Sequence, residues 1–216
     1  MTTGSGLPPV LAAAAAAGCS QAAAAGPPPA APAGLLAGRQ GPPADVTICA
    51  ALAADLPAIR QAVAAAFGND LEARLVARLE REGRVTVSLV ARAGGDVVGH
   101  AMVSRVALVA HGGSWPALAL APVAVVPERQ RRGVGSALVR GCLALAGPHL
   151  PVFVIGAPGF YGRFGFEPAE PCGVTSRFEV PVGHFMVRPC AALAGGAGAG
   201  SPAPPPRLLD YPPAFG

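Results

Sequence analysis

The stretch of residues 123–138 has the composition of a phosphate-binding turn. It reads Val-Ala-Val-Val-Pro-Glu-Arg-Gln-Arg-Arg-Gly-Val-Gly-Ser-Ala-Leu, so a strand-like run is followed by a basic turn, and Gly133 and Gly135 then open a helix. Glycines let the backbone curl so that successive N–H groups point into one concavity, and the helix N-terminus adds the positive end of its dipole. The pattern therefore predicts a pyrophosphate cradle, with Arg131 and Arg132 adding charge beside it.

A Gly-x-Gly pair on its own is weak evidence for a phosphate-binding site. No third glycine follows at the offset of a dinucleotide fingerprint, and no Gly-Lys-Ser/Thr of a P-loop occurs. On local grounds, a helix that simply begins with small residues remains the alternative interpretation.

An aromatic block follows after the next apolar run. Residues 160–166 read Phe-Tyr-Gly-Arg-Phe-Gly-Phe. We interpret the three phenylalanines as packing residues. Tyr161 is either a core aromatic with a solvated hydroxyl or a residue with a chemical role.

Apolar spacing predicts the helices that position these blocks. The first helix follows Asp55 as its cap, has Ile59, Val63 and Phe67 at a spacing of four, and ends at Gly68. A charge-rich helix over 70–82 has a leucine stripe, and a third helix over 133–146 turns Val134, Leu138 and Leu145 inward. A short segment over 160–164 adds a fourth.

Alternation and apolar runs predict the strands, at 46–49, 85–91, 97–109, 118–126, 151–155 and in the region 174–187. Residues 111–115 are expected to form a loop. Pro122 cannot donate a ladder hydrogen bond, so it indicates an edge, a bulge or a place where neighbouring strands part. The order β-α-α-β-β-β-α-β-α-β predicts an α+β fold with a mixed, mostly antiparallel sheet flanked by helices.

Composition divides the 216-residue chain into four parts. Residues 1–44 are an Ala/Gly/Pro-rich extension expected to be disordered, residues 45–190 form the domain, and residues 191–206 are a flexible linker. Residues 207–216 regain bulky apolar side chains. We expect this segment to dock on the domain in extended form, anchored by Tyr211 and Phe215.

Charge and cysteine usage exclude several classes of function. The net charge is +4 and every basic residue is an arginine, without the broad basic face of a nucleic-acid-binding protein. The five cysteines have no metal-ligand spacing, so no metal is expected. Cys19 lies in a lipoprotein-like box, but no basic residue precedes Arg39, so we expect a cytoplasmic protein without a membrane partner.

Taken together, the two blocks resemble the GCN5-related N-acetyltransferase (GNAT) superfamily over residues 45–190. Its acetyl-CoA motif, Gln/Arg-x-x-Gly-x-Gly/Ala, is matched by Gln130, Gly133 and Gly135, and its later motif by Tyr161 followed by Gly-Phe. The aromatic block resembles the arylalkylamine N-acetyltransferases. The 155–161 run and the C-terminal Tyr-Pro-Pro-Ala-Phe are more similar to bacterial predicted acetyltransferases of the YhbS type, which we favour.

The resemblance implies a GNAT fold with splayed central strands, acetyl-CoA as co-substrate, and a set of functional residues. The strand before the cradle would hold the pantetheine arm and the thioester through its backbone, and the loop would take the pyrophosphate. The implied acetyl-CoA residues are Val123, Ala124, Val125, Gln130, Arg131, Arg132, Gly133, Val134, Gly135 and Ser136. Tyr161 would be the general acid for the departing thiolate, a role suited to the reference pKa of tyrosine, about 10.

No general base is assigned. The strand positions where several family members place His or Glu carry Ala119, Leu120 and Ala121. Glu128, His100, His111 and a water relay remain open.

These expectations lead to an N-acetyltransferase that transfers an acetyl group to a primary amine of a small molecule or peptide by direct attack. Formation of a homodimer is left as an open alternative. One rival is a catalytically inactive acyl-CoA-binding or regulatory module on the same fold. The other is an unrelated phosphate-ligand domain.

Overall fold

A computed structural model describes residues 42–110, 112–189, 193 and 206–215. The described chain forms two compact units. The N-terminal unit contains residues 42–104 and 120–147, and the C-terminal unit contains residues 105–119 and the described part of 148–216. His111, most of the N-terminal extension and most of the 191–206 linker lie outside the described residues.

The elements follow the chain as a βααβββαβαββββ succession. The strands are β1 (Val46–Ala50), β2 (Val85–Ala93), β3 (Asp96–Ala110), β4 (Gly113–Val125), β5 (Val152–Ile155), β6 (Glu167–Pro168), β7 (Val174–Ser176), β8 (Phe185–Arg188) and β9 (Arg207–Asp210). The helices are α1 (Leu56–Phe67), α2 (Leu71–Arg81), α3 (Val134–Ala146) and the single turn α4 (Pro158–Tyr161).

In the N-terminal unit, β1, β2 and the first part of β3 pair antiparallel, and α3 covers one face of β2. Gly141 permits this approach, because a Cβ there would lie 2.8 Å from Leu89 Cδ1. Side chains alternate along a strand, so Ser88, Val90 and Arg92 point away from α3. On that second face, Arg92 Nη2 bonds Asp55 Oδ2 at 2.9 Å, which ties the start of α1 to the sheet.

In the C-terminal unit, β4 pairs parallel with β5, and β8 pairs antiparallel with both β5 and β6. The described β4–β5 register covers only Leu118 with Val152 and Ala119 with Phe153, as expected for strands that part just before Pro122. The Ala121–Pro122 peptide is cis. The mixed, mostly antiparallel sheet with flanking helices is thereby confirmed.

The end of the chain contributes to the C-terminal unit. Strand β9 pairs antiparallel with β3 and parallel with β7. Tyr211 and Phe215 are 4% and 0% exposed, and their ring centroids lie 4.9 Å apart. Phe178 packs on Tyr211 at 5.0 Å.

Several local expectations were wrong. Asp55 does not cap α1 with its side chain; its carboxylate instead accepts from Leu52 N–H at 2.9 Å and from Arg92. Leu145 is 52% exposed rather than turned inward, because α3 is ending there. Ser114 and Trp115 belong to β4, and the 174–187 region holds two strands where one was expected.

Within the part of the chain that the structure describes, no helix is both long and apolar enough to cross a membrane. Cys49, Cys142 and Cys172 are free thiols.

Candidate functional site

The turn between β4 and α3 has the backbone of an anion cradle. A short 3-10 turn (Pro127–Arg129) follows the strand, Arg131 has a φ of 56°, and Gly133, the N-cap of α3, has a φ of 85°. Positive φ at alternate positions curls the backbone, which glycine does without strain and arginine does not. The chain here holds a conformation that its own side chains do not favour, which is typical of ligand-binding loops.

The first turn of α3 presents unsatisfied donors. The N–H groups of Val134, Gly135 and Ser136 precede the first intrahelical bond, which Ala137 N–H makes to Gly133 C=O at 3.0 Å. Among the residues that the structure describes, no side chain caps this terminus. The Ser136 side chain is 6% exposed, so the small residues also let the helix start close to the sheet.

The arginines of this turn differ in their surroundings. Arg129 forms an ion pair with Asp45, and this hydrogen bond lowers the pKa of the Asp45 carboxyl. Arg131 and Arg132 are exposed on the turn. Arg129 therefore helps to hold the turn, whereas Arg131 and Arg132 are placed to meet an anion from solvent.

The strand residues before the cradle are buried. Val123 is 9% exposed, and Ala124 and Val125 are fully buried. Their side chains belong to the core, so only the backbone of this stretch can serve a ligand.

Tyr161 closes the one-turn helix α4 in the C-terminal unit and is 9% exposed. Its ring lies edge-on to Phe160 at 4.8 Å and to Phe166 at 5.7 Å. Gly156 forms the floor beneath the ring, since a Cβ there would lie 2.8 Å from Tyr161 Cδ2. Packing therefore restricts the orientation of this phenol.

The structure thus brings the ten predicted acetyl-CoA residues into one continuous strand, turn and helix of the N-terminal unit. Tyr161 belongs to the C-terminal unit.

Two buried ionisable residues of the N-terminal unit stand out. His100 on β3 is fully buried, its Nε2 lies 3.0 Å from Ser88 Oγ, and burial lowers its pKa to about 3. Glu72 on α2 is 1% exposed, and burial raises its pKa to about 7. Glu128, the turn carboxylate weighed as a base, is exposed.

Glu72 was missed by sequence reasoning, although a signal existed. It falls three, four and seven residues before the buried Leu75, Val76 and Leu79 of α2, so it occupies an apolar-stripe position. The sequence interpretation took Leu71, Leu75 and Leu79 as the stripe; Leu75 and Leu79 are buried as expected, but Glu72 rather than Leu71 is buried in the first turn.

Comparison with known families decides the fold family. Residues 48–169 match the family model described as "Acetyltransferase (GNAT) domain". The chain belongs to the GNAT acetyltransferase family. The predicted resemblance is confirmed.

Three GNAT proteins from bacteria are similar to this chain. The Escherichia coli K12 protein described as "Uncharacterized N-acetyltransferase YjhQ" is 39% identical over 60% of this chain and 75% of its own. The crystal structure of the E. coli GNAT family protein YhbS in complex with CoA matches with a TM-score of 0.66 and 28% identity, over 82% of this chain and 96% of that one. A Brucella melitensis GNAT acetyltransferase in complex with acetyl-CoA matches with a TM-score of 0.58 and 29% identity, over 79% and 98%.

Proposed function

We propose that the protein is an N-acetyltransferase that moves the acetyl group of acetyl-CoA onto a primary amine of a small molecule or peptide, by direct attack of the amine on the thioester. The observation that carries the proposal is the β4–α3 turn of a GNAT chain, with positive φ at Arg131 and Gly133 and unsatisfied N–H groups in the first helical turn. The acetyl-CoA and CoA complexes of the Brucella and YhbS proteins support acetyl-CoA as the co-substrate.

In this proposal the cradle binds the pyrophosphate of the co-substrate. The N–H groups of residues 133–136 donate to phosphate oxygens, and the helix dipole favours the negative charge. Arg131 and Arg132 add attraction from the exposed rim, while Gln130 holds the turn at the position the family motif gives it.

The backbone of Val123, Ala124 and Val125 binds the pantetheine arm and the thioester. An N–H group aimed at the thioester oxygen stabilises the charge that develops there during attack. Their buried side chains keep this stretch rigid.

Tyr161 acts as the general acid. As the C–S bond breaks, its hydroxyl gives a proton to the leaving thiolate, and the amide product and CoA thiol separate. The packing of its ring between Phe160, Phe166 and Gly156 supports this role, because a proton donor must be held in one orientation.

We also propose that the protein works in a reducing compartment. The free thiols of Cys49, Cys142 and Cys172 suit the cytoplasm.

The test is thiol release from acetyl-CoA with a panel of polyamines, amino acids, aminoglycosides and peptide amines. Turnover that depends on one class of amine supports the enzyme. If calorimetry shows CoA binding and no amine increases thiol release, the chain is an acyl-CoA-binding module instead. If CoA does not bind, the cradle assignment fails.

A further inference from the structure

The β4–α3 turn has a conformation that its own residues oppose. Three arginines lie within residues 129–132, and like charges this close repel one another. Arg131 has a φ of 56°, which strains a residue that carries a Cβ. The backbone closes the turn with a hydrogen bond from Gln130 N–H to Pro127 C=O at 3.2 Å. A contact from outside the turn is therefore needed if the cradle is to be formed before a ligand arrives.

Asp45 makes a contact of this kind. Its Oδ2 accepts a hydrogen bond from Arg129 Nη1, although the two residues lie 84 positions apart in the chain. This hydrogen bond is the main cause of the lowered pKa of the Asp45 carboxyl, and the charge of Arg132 lowers the pKa further. The carboxylate is therefore ionised at physiological pH and offsets part of the positive charge of the turn.

The position of Asp45 is itself fixed by the sheet. Asp45 lies in a turn that is closed by a hydrogen bond from Val46 N–H to Pro43 C=O at 2.9 Å. Val46 is the first residue of β1, is buried, and pairs with Ala93 of β2. The Asp45 side chain thus extends from a backbone that the sheet already holds, and the ion pair joins this backbone to Arg129.

Building on the proposed function, we propose that Asp45 is a positioning residue of the acetyl-CoA site. Its ion pair with Arg129 holds the β4–α3 turn in the conformation that presents the N–H groups of residues 133–136, which reduces the ordering needed when the pyrophosphate binds. Arg129 serves the turn itself, and Arg131 and Arg132 remain for the anion. Asp45, Arg129 and the cradle all belong to the N-terminal unit.

The charge of Asp45 has a second effect, of opposite sign. Asp45 is an anion near a site for another anion, so its removal would strengthen CoA binding if charge alone acted. The Debye length at physiological ionic strength is about 8 Å, so salt weakens this repulsion between groups that are not in contact. The ion pair is a direct contact, with the Arg129 side chain 30% exposed, and exposed pairs change an equilibrium by up to about fivefold. We therefore expect the loss of the ion pair to dominate.

The experiment measures the CoA dissociation constant by calorimetry at about 0.15 M salt, near physiological ionic strength. It compares the wild-type protein with Asp45→Asn, Arg129→Gln and the double variant. Each single variant should raise the dissociation constant about three- to fivefold. The double variant should not exceed either single variant, because both changes remove the same contact. Asp45→Glu keeps the carboxylate and should bind CoA within about twofold of the wild-type protein.

Kinetics distinguish positioning from a general loss of stability. In Asp45→Asn, KM for acetyl-CoA should rise about as much as the CoA dissociation constant, while kcat at saturating acetyl-CoA and KM for the amine stay within about twofold. The melting temperature should stay within about 2 °C of the wild-type value, because the Asp45 side chain is 55% exposed and an exposed ion pair adds little to stability.

Asp96→Asn is the matched control for charge. Asp96 is exposed and pairs with Ala93, which in turn pairs with Val46, so this variant removes the same charge from the same end of the sheet. Asp96 takes part in none of the ion pairs among the described residues. Its replacement should leave the CoA dissociation constant within about 1.5-fold of the wild-type value.

The outcomes separate this inference from the proposed function. Unchanged or tighter CoA binding by a folded Asp45→Asn protein overturns the role of Asp45, even if Arg129→Gln binds CoA more weakly, since Arg129 then contacts the phosphate itself. Unchanged binding by Arg129→Gln, additive losses in the double variant, or an equal loss in Asp96→Asn overturn it as well. These results leave the proposed function intact. Failure of the wild-type protein to bind CoA overturns the proposed function, and this inference with it.

Discussion

Gly156 offers a way to move Tyr161 without altering its chemistry. A Cβ at Gly156 would overlap the Tyr161 ring at Cε2 and would lie 2.8 Å from Cδ2 and 3.3 Å from Cζ. The backbone cannot yield easily, because Gly156 N–H is bonded to His184 C=O at 2.9 Å. In Gly156→Ala the ring must therefore move.

The size of the effect follows from these distances. Carbon atoms in contact prefer about 3.5–4.0 Å, so the ring must shift by about 1 Å. Overpacking of this kind costs about 1–3 kcal/mol, offset by less than about 1 kcal/mol from the stiffer unfolded chain. A displacement of about 1 Å at a proton donor lowers kcat by up to about 10²-fold.

The assay measures kcat, the CoA dissociation constant and the melting temperature of three variants. Gly159→Ala is the matched control, since no atom of the described residues lies within 4 Å of its Cβ and its φ is not left-handed. We expect Gly159→Ala to behave as wild type, and Gly156→Ala to lose kcat in the same direction as Tyr161→Phe, whose loss should be roughly 10²–10⁴-fold. CoA affinity should change little in all three.

Two results would refute this reasoning. If Gly156→Ala melts at a lower temperature but keeps its kcat, the Tyr161 ring is packing and not an acid. If the melting temperature and kcat of Gly156→Ala equal those of Gly159→Ala, then Gly156 does not lie as close to the Tyr161 ring as the structure indicates.

Three other perturbations test separate parts of the molecule. Gly133→Asp places a carboxylate and a side chain at a φ of 85° in the cradle, and should weaken CoA binding more than tenfold by calorimetry. Glu72→Gln should remove a pH-dependent loss of stability: burial raises the Glu72 pKa from 4.5 to about 7, so the folded protein keeps a proton that the unfolded chain releases, and unfolding free energy falls as pH rises through this window. The wild type should lose on the order of 3 kcal/mol at most, by chemical denaturation at pH 4 and pH 8. Truncation after Pro206 removes β9 and the buried rings of Tyr211 and Phe215, and should lower the melting temperature by several degrees.

Each of these has a control and a contrary outcome. Gly147→Asp introduces the same residue at a φ of 74° beyond the other end of α3, so equal CoA binding by both aspartate variants would remove the cradle. Equal pH dependence in Glu72→Gln and wild type would show that Glu72 is not buried in its neutral form. Deletion of residues 1–44 is the control and should leave the melting temperature unchanged, whereas an unaltered melting curve after truncation would show that the tail adds nothing to the fold.

Periodicity and turn residues predicted most of the elements, since strands β2 and β3 alternate and the helices have apolar stripes. The sequence predicted Gly68 and Gly133 at helix ends, because few residue types other than glycine adopt a positive φ without strain. The exposure of Leu145 could not be predicted, because an apolar stripe shows which face of a helix is buried but not how far along the helix the covering surface extends.

The site was predictable only where backbone conformation depends on residue type. Glycine spacing predicted the turn whose positive φ at Gly133 the structure shows, and the aromatic block drew attention to Tyr161, whose ring is buried. The buried position of His100 depends on long-range pairing of β3 with its neighbours, and the sequence shows only that a histidine occupies an alternating strand. Asp55 likewise looked like a local cap of α1, but its carboxylate is shared between Leu52 N–H and Arg92, a partner 37 residues away.

The most direct test of the central claim follows the acetyl group itself. The full-length protein is incubated with acetyl-CoA carrying an isotopically labelled acetyl group and with the amine panel, and the amines are examined by mass spectrometry. The account predicts labelled acetyl amide on one class of amine, formed in step with CoA thiol and strongly reduced in Tyr161→Phe. Thiol release without any labelled amide, or no release at all while CoA binds, would contradict it.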